Sequence, residues 1–183
     1  MTAVRLRTAQ TDEIEPERFD EITALCEAAF GERFAPVWNR VGPGLHVIAD
    51  VDGRVVGHAM IVDRPIYVGG GDGGEALDAG YVENVATDPG ARGRGHGAAV
   101  MREVGRILGE EYAIGALATG SNAFYETLGW ETWRGPTWVR MADGLRVRSA
   151  GHDGQVMVLR TGRTPHLRLD EPIAIDWRPG EPW

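Results

Sequence analysis

A single cysteine, Cys26, is all the thiol chemistry the sequence holds, so no disulfide can form within the chain and a reducing compartment is expected. Cys26 falls in the run Ile22, Leu25, Cys26, Ala29, whose spacing is helical, and it reads as a small buried hydrophobe rather than a reactive thiol. No apolar stretch approaches the roughly 20 residues needed to cross a bilayer, so no membrane partner is expected. The opening MTAVRLRTAQ lacks the apolar core of a signal peptide, which makes the cytoplasm the default location. Basic residues are outnumbered, 19 against 27 acidic, for a net charge of −8. Nucleic-acid binders present basic faces, so no nucleic-acid partner is expected. The acidic excess would steer a cationic ligand, and acidity for solubility alone explains it equally well. The five histidines show no ligand spacing, and no metal is expected.

What is present suits one domain. A chain of 183 residues buries on the order of 70% of its unfolded surface, and 43% hydrophobic with 25% charged is a globular composition. Val4 to Arg7 reads as a first strand, and Thr11 or Asp12 as the start of a helix carrying Phe19, Ile22, Leu25 and Cys26 inward. His46 to Val51 is a strand, and Asp52-Gly53 is a strong hairpin signal. The return strand runs from Val55 to about Tyr67 with Val56, His58, Met60 and Val62 on one face. A glycine loop over 69–74 precedes a strand from about Leu77 to Ala86. A helix then carries Val100, Val104, Ile107 and Leu108 on one stripe. Ile114 to Leu117 is a strand, and the helix from Asn122 to Leu128 ends at Gly129. Trp130 to Arg140 and Gln155 to Arg160 read as two closing strands. The order of elements gives a mixed α/β domain.

The segment richest in chemistry runs from Gly80 to Gly97, GYVENVATDPGARGRGHG. It places a strand, an Asp-Pro-Gly turn, then Arg92, Gly93, Arg94, Gly95, His96 and Gly97 at the mouth of a helix. Glycines let successive backbone N–H groups converge, and a helix N-terminus adds about half a positive charge. Arg92 and Arg94 supply cationic donors for a pyrophosphate. A P-loop would end in Gly-Lys-Ser/Thr, which is missing here. Gly93-x-Gly95-x-x-Ala98 superficially meets a Rossmann fingerprint, yet that loop should follow its strand directly, and an Asp-Pro-Gly turn intervenes. A plain glycine-rich turn leaves the two arginines and the helix start unexplained.

This segment resembles the central motif of the GNAT superfamily, whose Arg/Gln-x-x-Gly-x-Gly/Ala loop binds the pyrophosphate of coenzyme A. A second match, Phe124-Tyr125-Glu126-x-x-Gly129-Trp130, is similar to the superfamily's Tyr-containing helix. Nearly end to end, the sequence is similar to the aminoglycoside 2'-N-acetyltransferases. The similarity is carried by Gly80 to Ala86, by Gly129 to Pro136, by Asp153-Gly154 with Val158-Leu159, and by the ending Asp176 to Trp183. The resemblance implies one GNAT domain over 1–183, with a mostly antiparallel mixed sheet of about seven strands flanked by about four helices. Residues 161–183 are then expected as a tail packing toward the acceptor site. It further implies acetyl-CoA as co-substrate, a small cationic amine acceptor such as an aminoglycoside, and a homodimer.

Residue by residue, the resemblance makes Glu83 the general base, acting through water, and Tyr125 the acid that protonates the departing thiolate. A phenol with an ordinary pKa near 10 is protonated at neutral pH. Backbone groups of Val85 and Thr87 would hold the pantetheine arm. Asp153, Glu181 and Trp183, with its terminal carboxylate, match acidic family positions that meet the acceptor. The departures lie in the same half of the site. Where the family carries aspartates near 31–38, this chain has Glu32 beside Arg33. The stretch 117–124 is about two residues short, and Ala118 stands where the family carries a serine contact. The cofactor half is kept and the acceptor half altered, which points to a smaller or less charged aminosugar, a kasugamycin-like compound for example, or to a different small amine or a peptide N-terminus. A non-catalytic acyl-CoA-binding module is the alternative from another class, and intact Glu83 and Tyr125 argue against it.

Overall fold

Alternating β-formers with a two-residue Asp52-Gly53 turn make a hairpin, because both turn residues adopt positive φ, 51° and 79°. The computed structural model describes residues 4–70 and 74–183, so part of the expected 69–74 glycine loop lies outside the described residues. In chain order the elements are β1 (Arg5–Gln10), α1 (Pro16–Phe30), α2 (Ala35–Val41), β2 (Leu45–Val51), β3 (Arg54–Asp63), β4 (Ile66–Val68), β5 (Glu75–Leu77) and β6 (Ala79–Thr87). There follow α3 (His96–Glu111), β7 (Ile114–Ala118), α4 (Asn122–Glu126), β8 (Glu131–Thr132), β9 (Thr137–Arg140), β10 (Arg146–Arg148), β11 (Val156–Arg160) and β12 (Ile173–Asp176).

Seven strands form one mixed sheet, ordered β1-β2-β3-β6-β7-β11-β8. The β6–β7 pairing is parallel, while β1–β2, β2–β3, β7–β11 and β11–β8 are antiparallel. With four α-helices among the described residues, this is the mixed α/β architecture and the strand number expected. A second, five-stranded sheet, ordered β10-β9-β12-β4-β5, was not anticipated. Two shifted boundaries account for two of its strands, β4 and β9, while β5, β10 and β12 are short strands with no counterpart in the sequence reading. The return strand breaks at Pro65, after which Ile66–Val68 joins the other sheet. The stretch from Trp130 to Arg140 breaks at Gly135-Pro136 into β8 and β9. A proline cannot donate to a ladder, so each marks a place where a strand leaves its sheet.

The chain divides into two units. The first comprises residues up to Val62 and Val82–Arg106. Its core packs Ile22, Leu25 and Cys26 of α1 with Phe34, Val37 of α2, Ile48, Val55 and Ala86. The helix expected from Thr11 is a 3-10 turn, Thr11–Glu13, with α1 starting at Pro16, where the missing N–H is no loss. Gly31 ends α1 in the left-handed conformation, donating its N–H to the Glu27 carbonyl. Helix α2 was not expected; the Phe34 ring just before it packs edge to face on Trp38 within it, 5.1 Å between centroids.

The second unit comprises Asp63–Tyr81 and Ile107–Trp183. Helix α4 stops at Glu126, two residues before the expected end, and Gly129, with φ of 89°, lies in the turn that follows it. Within this unit the residues beyond Thr161 are not a loose extension. Strand β12 lies between β9 and β4, parallel to the first and antiparallel to the second. Beyond it, Arg64 donates to the carbonyls of Asp176 and Pro182, both at 2.7 Å.

Candidate active site

The part of β6 that belongs to the first unit, from Val82 on, carries the residues nearest to the expected chemistry. The burial of β6 changes along its length: Ala79 to Val82 are buried, Glu83, Asn84 and Val85 half-buried, and Ala86 buried again. The change coincides with Asn84, whose φ of 54° is left-handed. A left-handed residue inside a strand breaks the alternation of side chains and bends the backbone. Glu83 and Val85 therefore flank a local opening in the strand. The Asn84 carbonyl is met by Nδ1 of His58 at 2.9 Å, a contact from the neighbouring β3.

Past Thr87, the Asp88 N–H is held by the Val56 carbonyl, and the Asp88 carboxylate accepts from the Gly90 N–H at 2.8 Å. This short 3-10 turn buries Ala91 and delivers the chain to Arg92 through Gly95, all exposed. Gly93 and Gly95 have φ of 76° and 82°, with nothing within 4 Å of where a side chain would begin. Their demand is conformational rather than steric, since only glycine adopts such angles freely. His96 and Gly97 then open the 16-residue α3, which has no acidic residue in its first turn. Open donors, two arginines and an uncompensated helix N-terminus make a site suited to a polyanion such as the pyrophosphate of coenzyme A. Glu32 lies exposed in the turn between α1 and α2, in the same unit.

In the second unit, Tyr125 is buried on α4 between Phe124 and Trp130, with ring centroids 5.0 and 6.1 Å away. Burial pushes its phenol up to about 12, so it holds its proton throughout the neutral range. Asn122 ties the helix to the chain ahead, donating to Thr132 Oγ1 at 3.0 Å and to the Gly154 carbonyl at 2.9 Å.

Asp153, Glu181 and Trp183 converge in this unit. One carboxylate oxygen of Asp153 accepts from the Thr137 N–H and hydroxyl, both at 2.9 Å, and from Arg148 at 2.8 Å. Its other oxygen is also met by Arg148. The guanidinium, first, and the Thr137 donors hold the Asp153 carboxyl well below the usual carboxylate range. The Trp183 indole is buried and donates to Ser149 Oγ at 3.0 Å, while Ser149 donates to Thr137 Oγ1 at 3.1 Å. Glu181, largely exposed, lies 3.3 Å from His152. Asp153 and Trp183 thus share one hydrogen-bonded chain through Thr137 and Ser149.

Residues 10–133 match the family model described as an acetyltransferase (GNAT) domain. Across 97% of its length the chain is 31% identical to the aminoglycoside 2'-N-acetyltransferase of Mycolicibacterium fortuitum, covering 91% of that protein. The chain belongs to the GNAT acetyltransferase family. It is accordingly an acyltransferase. Over 68 residues, 37% of the chain and 31% of the relative, it is 38% identical to the L-2,4-diaminobutyric acid acetyltransferase of Nocardia farcinica. Among solved structures, the GNAT N-acetyltransferase of Escherichia coli in complex with CoA matches with a TM-score of 0.63 and 21% identity, covering 96% of this chain and 91% of that one. Several other matched structures belong to longer proteins, of which the chain spans about a third.

The run from Arg92 to Gly95 is exposed, and Glu83, beside the opening in β6, is half-buried. Sequence reasoning passed over His46, His58 and Asn84, which meet behind that opening. No spacing motif marks them, since a hairpin's register is needed to bring them together.

Proposed function

We propose that the protein transfers an acetyl group from acetyl-CoA to an amine of an aminoglycoside or related aminosugar, at a 2'-amino type of position. The end-to-end similarity to the aminoglycoside 2'-N-acetyltransferase carries this reading. The open Arg92–Gly97 loop supports the donor, with Arg92, Arg94 and the backbone N–H groups through His96 and Gly97 taking the pyrophosphate and Val85 and Thr87 the pantetheine arm. Coenzyme A supplies the activated acyl group as a thioester. Glu83 acts as general base, relieving the acceptor ammonium of a proton by way of water, and Tyr125 gives its phenolic proton to the departing thiolate. Proximity of the two substrates contributes most of the rate, on the order of 7–11 kcal/mol of barrier.

On the acceptor side, Glu32, Asp153, Glu181 and Trp183 remain the residues of choice. The Arg148 guanidinium on Asp153 favours an acceptor with fewer positive charges than a large aminoglycoside, because that carboxylate is already matched. The short match to a diaminobutyric acid acetyltransferase favours a second reading, in which the acceptor is a small diamine bearing a carboxylate.

Free-thiol release from acetyl-CoA, measured against aminoglycosides, kasugamycin, L-2,4-diaminobutyrate and simple polyamines, tests both. Thiol release with an aminosugar, plus the mass gain of one acetyl group, is the expected result. Release with diaminobutyrate alone would replace the first reading by the second. Light scattering on the same sample tests the homodimer expected of such enzymes.

A further inference from the structure

Behind Asn84 lies a line of polar groups in an apolar setting. His46 on β2 and His58 on β3 are both fully buried. His46 pairs with Met60 and His58 with Ile48, so the two imidazoles are diagonal neighbours on one face of the sheet. Their rings face each other with His46 Nδ1 and His58 Nε2 2.9 Å apart. His58 Nδ1 lies 2.9 Å from the Asn84 carbonyl, and His46 Nε2 lies 3.0 Å from Thr11 Oγ1. Helices close the face: Trp38 of α2 stands edge-on to His58 at 6.0 Å between centroids, and Cys26 of α1 has its sulfur 3.8 Å from His58 Nδ1.

Donor and acceptor accounting gives this line a direction. A carbonyl only accepts, so His58 Nδ1 carries the proton. Burial holds both rings neutral, pushing His46 down to about 4 and His58 to about 3. His58 Nε2 is then bare and accepts from His46 Nδ1–H. His46 Nε2, bare in turn, accepts from the Thr11 hydroxyl, for whose single proton the Gly44 carbonyl at 3.1 Å competes, and the hydroxyl oxygen takes the Gly44 N–H at 3.0 Å. In this one arrangement all four ring nitrogens are satisfied, and the series ends on the carbonyl of the left-handed residue next to Glu83.

We infer that His58, backed by His46 and Thr11, is a positioning residue that pins the Asn84 carbonyl and so fixes the bulge from which Glu83 projects. A left-handed asparagine inside a strand persists only where its surroundings hold it there. The imidazole N–H is the group that does so here, from a fully buried ring. The inference rests on the reading of Glu83 as the base, because the bulge matters to turnover through that carboxylate.

The test compares His58→Leu, which removes the donor, with His58→Asn, which keeps an N–H close to the Nδ1 position. His58→Leu is expected to leave the Kd for coenzyme A within about twofold of wild type while kcat falls about 10–100-fold, the range a misplacement of about 1 Å produces. His58→Asn is expected to recover most of that loss. A folded His58→Leu enzyme with wild-type kcat, or an Asn variant no better than Leu, overturns the inference. Should His58→Leu fail to fold, ¹⁵N spectra of the wild-type imidazoles decide. A neutral, Nδ1-protonated His58 is expected at pH 7, and the Nε2–H tautomer or an imidazolium overturns it. If Glu83→Gln leaves kcat intact, the base assignment falls by itself. The Asn84 amide shift, displaced in the Leu variant and restored in the Asn variant, still reports whether the pin exists.

Discussion

The strand-and-loop region from Glu83 to Gly97 and the sheet around Asp153 and Trp183 handle their polar groups in opposite ways. In the first, the Asn84 carbonyl is matched by a neutral imidazole while the outer surface is left open, with two arginines and a helix N-terminus facing outward. In the second, charges are matched to one another. Arg148 takes Asp153, Arg140 lies 3.6 Å over the Tyr67 ring and beside Asp176, and Tyr67 donates to Asp176 at 3.0 Å. A region that leaves its donors open is shaped for an anionic ligand. A region that consumes its charges internally is shaped for stability.

Breaking the first region at its chemistry should give the largest effect. Glu83→Gln is expected to lower kcat about 10²–10⁴-fold, as loss of a general base does, with the Kd for coenzyme A unchanged by calorimetry. Tyr125→Phe keeps the buried ring between Phe124 and Trp130 and should still cost about 10²-fold in kcat. The two regions also separate by pH. Burial lowers the folded-state pKa of His46 to about 4 and of His58 to about 3, below the ordinary value near 6.5, so the unfolded chain takes up protons first as the pH falls. Stability should be flat above pH 6.5 and fall between pH 6.5 and 4, by about 3 kcal/mol for His46 alone at about 1.4 kcal/mol per unit. The Asp153–Arg148 pair holds a lowered carboxyl pKa, so its contribution persists through that window and is lost only below the ordinary carboxylate range. Urea titrations at pH 7 and pH 5, repeated with Asp153→Asn, check the separation: the drop should be the same in both proteins.

Smaller effects should sharpen the contrast. Gly95→Ala forces a side chain onto φ of 82°, a strain of about 1–2 kcal/mol, and should raise the Kd for coenzyme A on the order of tenfold without moving the acceptor KM. Deleting Trp183 should do the reverse, raising the acceptor KM a few-fold while the coenzyme A Kd stays put. An unchanged acceptor KM would remove the C-terminus from the acceptor site.

Much of the fold was legible because its signals are local. Asp52-Gly53 announces a hairpin, the stripe Val100, Val104, Ile107 and Leu108 a helix, and Gly93 and Gly95 a loop with left-handed residues. The second sheet was hidden because its strands are short, three or four residues, too brief for a period to show. Only the two prolines at 65 and 136 hint that strands change sheets. The candidate site divides in the same way. Glu83, Tyr125 and the Arg92–Gly97 loop stand in contiguous motifs, whereas the engagement of Asp153 by Arg148 depends on the pairing of β9 with β10.

The sequence by itself determined the family, the acyl-transfer chemistry and the glycine-bearing anion loop, since each is written in neighbouring residues whose backbone demands are local. Tertiary structure alone decided the two-histidine line. Counting back from the Asp52-Gly53 turn without interruption puts His46 and His58 on opposite faces of the hairpin. The register shifts by one residue where Ala49 pairs with Gly57 and Asp50 with Val55, leaving Val56 as an extra residue in β3. A one-residue slip exchanges the faces of everything beyond it. That slip brings both imidazoles to the same buried face and His58 to the carbonyl of Asn84.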